Sequence, residues 1–217
     1  MDAMTTGSLL AVCLVHALLP TQDSTGVTAI DKRAVDGPVN VHKLGLTGDV
    51  QASRKHHGGE SKAIYAYSQH DADFWDAELG RDMSPGKFGE NLRVDGIDAS
   101  RAVIGERWQV GDDVVLEVTA PRTPCVNFAR FLKEPRWVKR FAEENRVGTY
   151  LRVISKGQIQ AGDTVTVMNR PEHGITGHQV FAGLDADAAR RLLDAESQGV
   201  TLSPEIHTVL AAVLRSA

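Results

Sequence analysis

Cys125 is the residue best placed in this chain to do chemistry. It stands in the run Pro121-Arg122-Thr123-Pro124-Cys125-Val126-Asn127-Phe128. A strand ends at Ala120, two prolines stiffen the turn, and a helix begins at or just after Cys125. The thiol then lies near a helix N-terminus and three residues from Arg122, and both favour the thiolate. Each such effect is worth about 0.3–1 kcal/mol at an exposed site. A thiolate so placed suits reaction or ligation of a soft metal. The competing reading is a buried structural cysteine, the usual role of a free one.

A second run is Ser53-Arg54-Lys55-His56-His57-Gly58-Gly59-Glu60-Ser61-Lys62, which is basic although the chain as a whole carries a net charge of −4. Gly58 and Gly59 let the backbone turn with its amides outward, the geometry of an anion nest. With Lys55 and Lys62 this suits a phosphate or another compact anion. It reads equally as a solvated basic hairpin whose glycines only make the turn. Adjacent histidines on an extended segment point to opposite sides, so His56 and His57 do not easily share one ion. No Cys or His stands at a zinc-ligand spacing from them. In Phe88-Gly89-Glu90-Asn91-Leu92, Asn91 either binds a ligand or closes a turn. Leu44-Gly45-Leu46-Thr47-Gly48-Asp49 reads alone as a turn.

Short strand-like runs position these segments. They fall at 39–46, 62–68, 90–96, 107–113, 114–122, 149–157 and 163–170, rich in Val, Ile, Thr and Tyr and bounded by turn residues. Few helical patterns lie between them, so the reading is a mainly β protein, an antiparallel or mixed barrel with short inserted helices. Ser68 is expected to cap a helix through about Leu79. Residues 126–144 read as two short helices divided by Pro135. The tail reads as helices over 185–196 and 203–215, capped by Asp185 and by Ser203-Pro204. A Pro and Gly cluster near 170–177 divides a barrel domain, 1–172, from a helical C-terminal extension, 173–217. The tail's Leu192, Leu193, Ile206, Leu210 and Leu214 pack on the barrel or form a dimer face.

The apolar run 9–19 resembles a signal peptide, but Met1–Ser8 holds Asp2 and no Lys or Arg. It is also shorter than a bilayer needs. It reads as a buried strand followed by a loop, with Cys13 as a core residue. With two cysteines there is no disulfide framework, which points to a reduced, cytoplasmic protein with no membrane span. The acidic balance argues against nucleic-acid binding. No Gly-x-Gly-x-x-Gly follows a strand, so no nicotinamide or flavin site is expected.

In order along the chain, Gly45–Asp49, Lys55–Gly59, Phe88–Leu92, Pro121–Cys125, Tyr150–Val153 and Gly162-Asp163 resemble the MOSC domain family, named for the C-terminal domain of molybdenum cofactor sulfurase. The likeness covers about residues 25–170. The tail resembles that of stand-alone bacterial members linked to detoxification of N-hydroxylated bases such as hydroxylaminopurine. The resemblance implies a MOSC-type β-barrel that binds the molybdenum cofactor, a molybdopterin. It implies that Cys125 either ligates molybdenum or carries sulfur as a persulfide. Lys55, His56, Gly58, Gly59, Lys62, Asn91 and Arg122 would then bind the cofactor, with Lys62 and Arg122 toward its phosphate. Relatives commonly have Asp two residues after the Gly-Gly pair, where this chain has Ser61.

The leading expectation is reduction of a small N-hydroxylated substrate to an amine. Cys125 would hold the metal, His57 is a candidate proton donor, and a separate electron-donor protein would supply electrons. A cofactor or persulfide carrier without turnover, and a Cys125–His57 hydrolase, are the alternatives.

Overall fold

The computed structural model describes residues 5–22, 24–52 and 58–216. A long hairpin, β1 (Thr6–Pro20) and β2 (Val27–Val35), leads into the short strands β3 (Val39–His42) and β4 (Gly45–Leu46). After a 3-10 turn at Glu60–Lys62 come β5 (Ile64–Ser68), α1 (Gln69–Leu79), β6 (Leu92–Asp95), β7 (Arg107–Val110) and β8 (Val114–Pro121). Two short helices follow, α2 (Val126–Leu132) and α3 (Trp137–Glu144), then β9 (Thr149–Ser155), β10 (Gly157–Ile159) and β11 (Thr164–Asn169). The tail holds α4 (Gly177–Ala182), α5 (Ala186–Ser197) and α6 (Pro204–Arg215).

The strand order β1-β11-β7-β8-β9-β5-β6 returns to β1 and closes a seven-stranded barrel. Neighbours pair antiparallel except β5 and β6, which run parallel because α1 carries the chain across between them. The expected mainly β barrel with inserted helices and a helical tail is therefore what forms. β1 is long because it serves three partners: β11 at Thr6–Ser8, β6 at Ser8–Val12 and β2 from Val12 to Pro20. Register shifts at Val15/Ala17 and Ala17/Leu19 mark its far half, where it leaves the barrel with β2. β10, β3 and β4 make a separate small sheet.

All five residues of β5 are buried, which places a core on each of its faces. Ile64 and Ala66 join the barrel interior with Leu92, Trp108, Leu116 and Leu151. Tyr65 and Tyr67 join an aromatic cluster with Trp75, Phe128, Trp137 and Phe141. Within it Phe128 meets Trp137 edge-on at 5.3 Å and Phe141 at 5.2 Å. Leu192, Ile206 and Leu210 of the tail are buried in the barrel cluster, and Leu214 packs on it partly buried, while Leu193 stays exposed.

Several local expectations change. The run 39–46 is two strands around a tight turn, and 149–157 spans β9 and the start of β10. Ser68 does stand at the start of α1, but its hydroxyl donates to the Ile97 carbonyl and accepts from the Ala99 amide, so it ties β5 to a loop and caps nothing. Asp185 and Ser203 cap α5 and α6 as expected, accepting from the amides of Ala188 and Ile206. α4 was not anticipated; Thr176 and Gln179 start it with a reciprocal capping box. Among the described residues, no helix is long and apolar enough to cross a membrane.

The Phe88–Leu92 segment is held by a fully buried ion pair. Glu90 Oε1 accepts from Arg93 Nε at 3.0 Å and from the Gly86 amide at 2.8 Å, and Oε2 accepts from the Phe88 amide at 3.0 Å. Arg93 also donates to the Met83 carbonyl at 3.2 Å. Removing one member leaves an uncompensated buried charge, so Arg93→Ala should cost about 3–5 kcal/mol in urea unfolding. A loss below about 1 kcal/mol would mean that Glu90 is satisfied without it.

Candidate functional site

A cleft of about 540 Å³ opens between β2, the segment after β4, the start of β5 and the Pro121–Arg130 stretch. Cys125, Arg122, Lys62 and Asn91 all line it, although the chain separates them widely. Lys32, Asp49, Tyr65 and Tyr150 line it too.

Cys125 is the N-cap residue of α2, with extended backbone, and its carbonyl accepts from the Ala129 amide at 3.2 Å. Phe128, one turn on, is locked into the aromatic cluster, so the thiol's backbone is held from below. Its side chain is half-buried at the cleft. Cys13 differs: it is fully buried on β1, and burial pushes its thiol far above the ordinary value, so it is inert.

Arg122 is 5% exposed, with its guanidinium 4.1 Å from the Phe128 ring centre and 5.1 Å from that of Tyr65. Its Nη1 is buried with no hydrogen-bond partner among the described residues. An unsatisfied buried donor costs on the order of 1–3 kcal/mol, more when charged. The atom therefore favours any anionic or accepting group that enters the cleft. Burial raises the Tyr65 and Tyr150 hydroxyls, against the opposing pull of Arg122, so both stay neutral near pH 7.

A buried polar network makes the opposite wall. Lys32 Nζ pairs with the Asp49 carboxylate. Burial pulls Lys32 below the usual lysine value, against the pull of Asp49. Asp49 also accepts from the Val15 amide at 3.0 Å and from Asn91 Nδ2 at 2.7 Å. Asn91 Nδ2 donates further to the Cys13 carbonyl at 3.2 Å, and Oδ1 accepts from the Tyr65 amide at 3.1 Å. The Asn91 carboxamide thus borders the cleft while its bonds run into the protein, where it holds Asp49.

Lys62 sits on the 3-10 turn. Its Nζ lies 2.7 Å from Glu205 Oε1 at the start of α6 and 5.7 Å from the Tyr150 ring centre. Gly59 has a positive φ of 90°, and its amide donates to Gln51 Oε1 at 2.8 Å. One of the two amides expected to face an anion is thus directed at Gln51. Gly58 is half-buried at the start of this turn. Lys55, His56 and His57 lie outside the described residues, as does the Cys125–His57 contact that hydrolysis would need. No histidine is among the described residues lining the cleft.

The charge of the cleft is positive. Among the described residues, Lys32, Lys62, Arg122 and Arg130 line it against Asp49 alone. Neither Arg122 nor Arg130 has a carboxylate partner among the described residues. Lys32, Gln51, Tyr65 and Glu205 carry no motif of their own. Asp49 and Tyr150 fall in the Gly45–Asp49 and Tyr150–Val153 runs of the family resemblance, with no role read for either side chain there.

Residues 53–166 match the family model described as the MOSC domain. A protein named "Reductase" from Gibberella moniliformis is 37% identical over 147 residues, which is 66% of this chain and 26% of that protein. The chain thus spans about a quarter of that relative's length. Protein YiiM of Escherichia coli is 30% identical over 179 residues, 77% of this chain and 78% of that protein. The crystal structure of YiiM from Geobacillus stearothermophilus has a TM-score of 0.76 at 23% identity, covering 96% of this chain and 99% of that one. That last likeness is one of fold, and it takes in the helical tail.

The Lys62–Glu205 contact has a pH signature. Burial alone would raise the Glu205 carboxyl, but Lys62, the residue's own backbone amide and the Ser203 hydroxyl together outweigh it and hold the group below its ordinary value of 4.5. A carboxylate lowered on folding stabilises above the unfolded value and loses that contribution as pH falls through the folded one. Glu205→Gln should therefore melt lower than the parent chain near neutral pH, with the gap closing as the pH falls below the ordinary carboxyl value of 4.5. A gap unchanged across that range would show that charge plays no part in the contact.

Proposed function

The chain belongs to the MOSC domain family, and from that premise we propose that it binds a molybdenum cofactor in the Cys125 cleft and reduces N-hydroxylated compounds to amines. The observation that carries this reading is the buried Nη1 of Arg122, without a hydrogen-bond partner among the described residues, in the same cleft as the half-buried Cys125 thiol. A pterin cofactor of this kind offers an anionic phosphate to the one and a metal with affinity for thiolate to the other. The excess of cations in the cleft supports the same fit.

Cys125 would supply the thiolate ligand, and Arg122 and Lys62 would hold the phosphate. When bound, the group supplies a centre that passes electrons in pairs. The overall change is R–NHOH plus two protons and two electrons to R–NH₂ plus water, with the electrons coming from a separate donor protein. The protein's own contribution is position and protons. The Phe128 packing fixes the loop that carries the thiol. Tyr65 and Tyr150, neutral and largely buried, cover the inner wall and limit water there. Lys32 Nζ holds a proton that burial makes easier to release, and Asp49 keeps that group in place. His57 remains the other candidate donor.

The same thiol and anion pocket would serve a persulfide carrier, and metal analysis separates the two. Expressed in a host that loads a control molybdoenzyme, the desalted chain should carry near-stoichiometric molybdenum and pterin. Cys125→Ser should lose the molybdenum, and Arg122→Gln should retain about tenfold less pterin. Pterin that does not depend on Cys125 would favour the carrier, and the absence of both metal and pterin would overturn the cofactor reading.

A further inference from the structure

The residues that follow Cys125 make a basic face. Between Val126 and Arg140 the chain has five cations, Arg130, Lys133, Arg136, Lys139 and Arg140, and one acid, Glu134, although its net charge is −4. Arg81 and Arg140 both take Glu134, and Lys139 pairs with Glu143 at 3.5 Å. Arg130, Lys133 and Arg136 are exposed, and none of the three has a carboxylate partner among the described residues. On α2, residues three and four apart share a face. Val126, Arg130 and Lys133 therefore form one outward stripe, while Phe128 and Leu132 are buried in the aromatic cluster. Val126 and Arg130 also line the Cys125 cleft. The stripe thus runs from the cleft to the far end of α2, about 12 Å from Cys125 at 1.5 Å of rise per residue. Val126 is 59% exposed, and Val27 and Val50, which line the same cleft, are exposed too. An apolar patch bordered by charge is the usual build of a protein interface.

Two of these cations stand where the backbone resists them. Lys133 closes α2 and Arg136 opens α3, each with φ 56°. Glycine and asparagine are the residues such positions favour. Arg136 is also a cation at a helix N-terminus, where the helix dipole opposes it. Neither side chain offsets that cost with an ion pair among the described residues. Their charges are directed outward, and an acidic surface complements them. A nucleic acid fits less well: no exposed large apolar side chain among the described residues is aromatic, so nothing there stacks on a base.

We propose that this face docks a small acidic redox-carrier protein, which delivers electrons at the mouth of the Cys125 cleft. The proposal rests on the reading that reduction occurs at Cys125. The carrier is oxidised as it gives up two electrons, in one docking if it holds a pair and in two if it holds one. With two protons, those electrons convert R–NHOH to R–NH₂ and water. Charge steers the encounter, and the exposed valines at the cleft supply the apolar contact. The thiol and the steering charges share one helix, so a carrier on the stripe sits next to the cleft.

Binding of an acidic [2Fe–2S] ferredoxin tests this without turnover. It would be measured by calorimetry on the full chain, cofactor-free and loaded, at about 20 and about 200 mM salt. The parent chain should bind with micromolar affinity at the lower salt and about tenfold more weakly at the higher. A Lys133→Asn, Arg136→Asn double variant should melt no lower than the parent, because asparagine tolerates a left-handed backbone, yet bind the ferredoxin about tenfold more weakly. Arg190→Glu, a charge reversal on α5, should bind as the parent does, and the basic carrier cytochrome c should not bind. Equal ferredoxin affinity in the parent and the double variant, or an equal loss in Arg190→Glu, would overturn the proposal. So would a parent that ignores ferredoxin, whether or not it takes duplex DNA or phosphatidylserine vesicles instead. Cys125-dependent molybdenum without ferredoxin binding would remove the docking face and leave the cofactor reading standing. Ferredoxin binding lost in the double variant, in a chain that takes up no metal, would do the reverse.

Discussion

The cleft depends on the hydrogen bonds of one buried asparagine. Asn91 stands just before β6, where the backbone must join β5 on one side and β1 on the other. Its main chain bonds Tyr65 and Cys13 at 2.8 and 2.7 Å, and its carboxamide reaches the same two residues and Asp49. Asp49 in turn fixes Lys32 on β2 and the Val15 amide on β1. Four separate pieces of chain are thereby held at one depth. A Lys–Asp pair this dry is costly to desolvate, and it is sustained because each oxygen of Asp49 has a donor besides the lysine.

The thiol is held by a different kind of force. Cys125 makes no disulfide; its loop carries two prolines and is anchored by the packing of Phe128 in the aromatic cluster. Arg122 serves both sides of this arrangement. Its guanidinium packs on Phe128 and Tyr65, which belong to the aromatic core, while Nη1 has no partner among the described residues. Because β5 buries Tyr65 on one face and Ile64 on the other, packing in either core bears on the same wall. Rigidity at the thiol thus comes from apolar packing, and electrostatic selectivity comes from the polar network opposite.

The barrel strands were legible because short runs rich in Val, Ile, Thr and Tyr ended at glycine and aspartate turns, and these signals are local. Cys125 and Arg122 were legible for the same reason: proline, cation and thiol stand side by side. Lys32 was not, since it stands between charged Asp31 and Arg33 on a strand that leaves the barrel, and nothing nearby announces Asp49 as its partner. Glu205 reads as an acid favouring a helix start, and only the docking of α6 makes it the partner of Lys62. Ser68 misled because its hydroxyl found a better partner in the Ile97–Ala99 loop than in its own helix. Long-range pairing decides each of these cases, and local composition does not encode it.

The pairing of β1 with β11 has a consequence for how the molecule comes to exist. The barrel closes where Thr6 meets Thr166 and Ser8 meets Thr164, so its earliest strand is completed by its latest. A nascent chain emerging from the ribosome cannot shut the cylinder until residue 169 is free of the exit tunnel. Until then β1 and β7 each offer an unpaired edge, the form most open to aggregation. Contacts this distant in sequence make folding slow compared with a helical protein of the same size. Helices α4, α5 and α6 follow β11 in the chain, so they pack over a barrel that has only just closed.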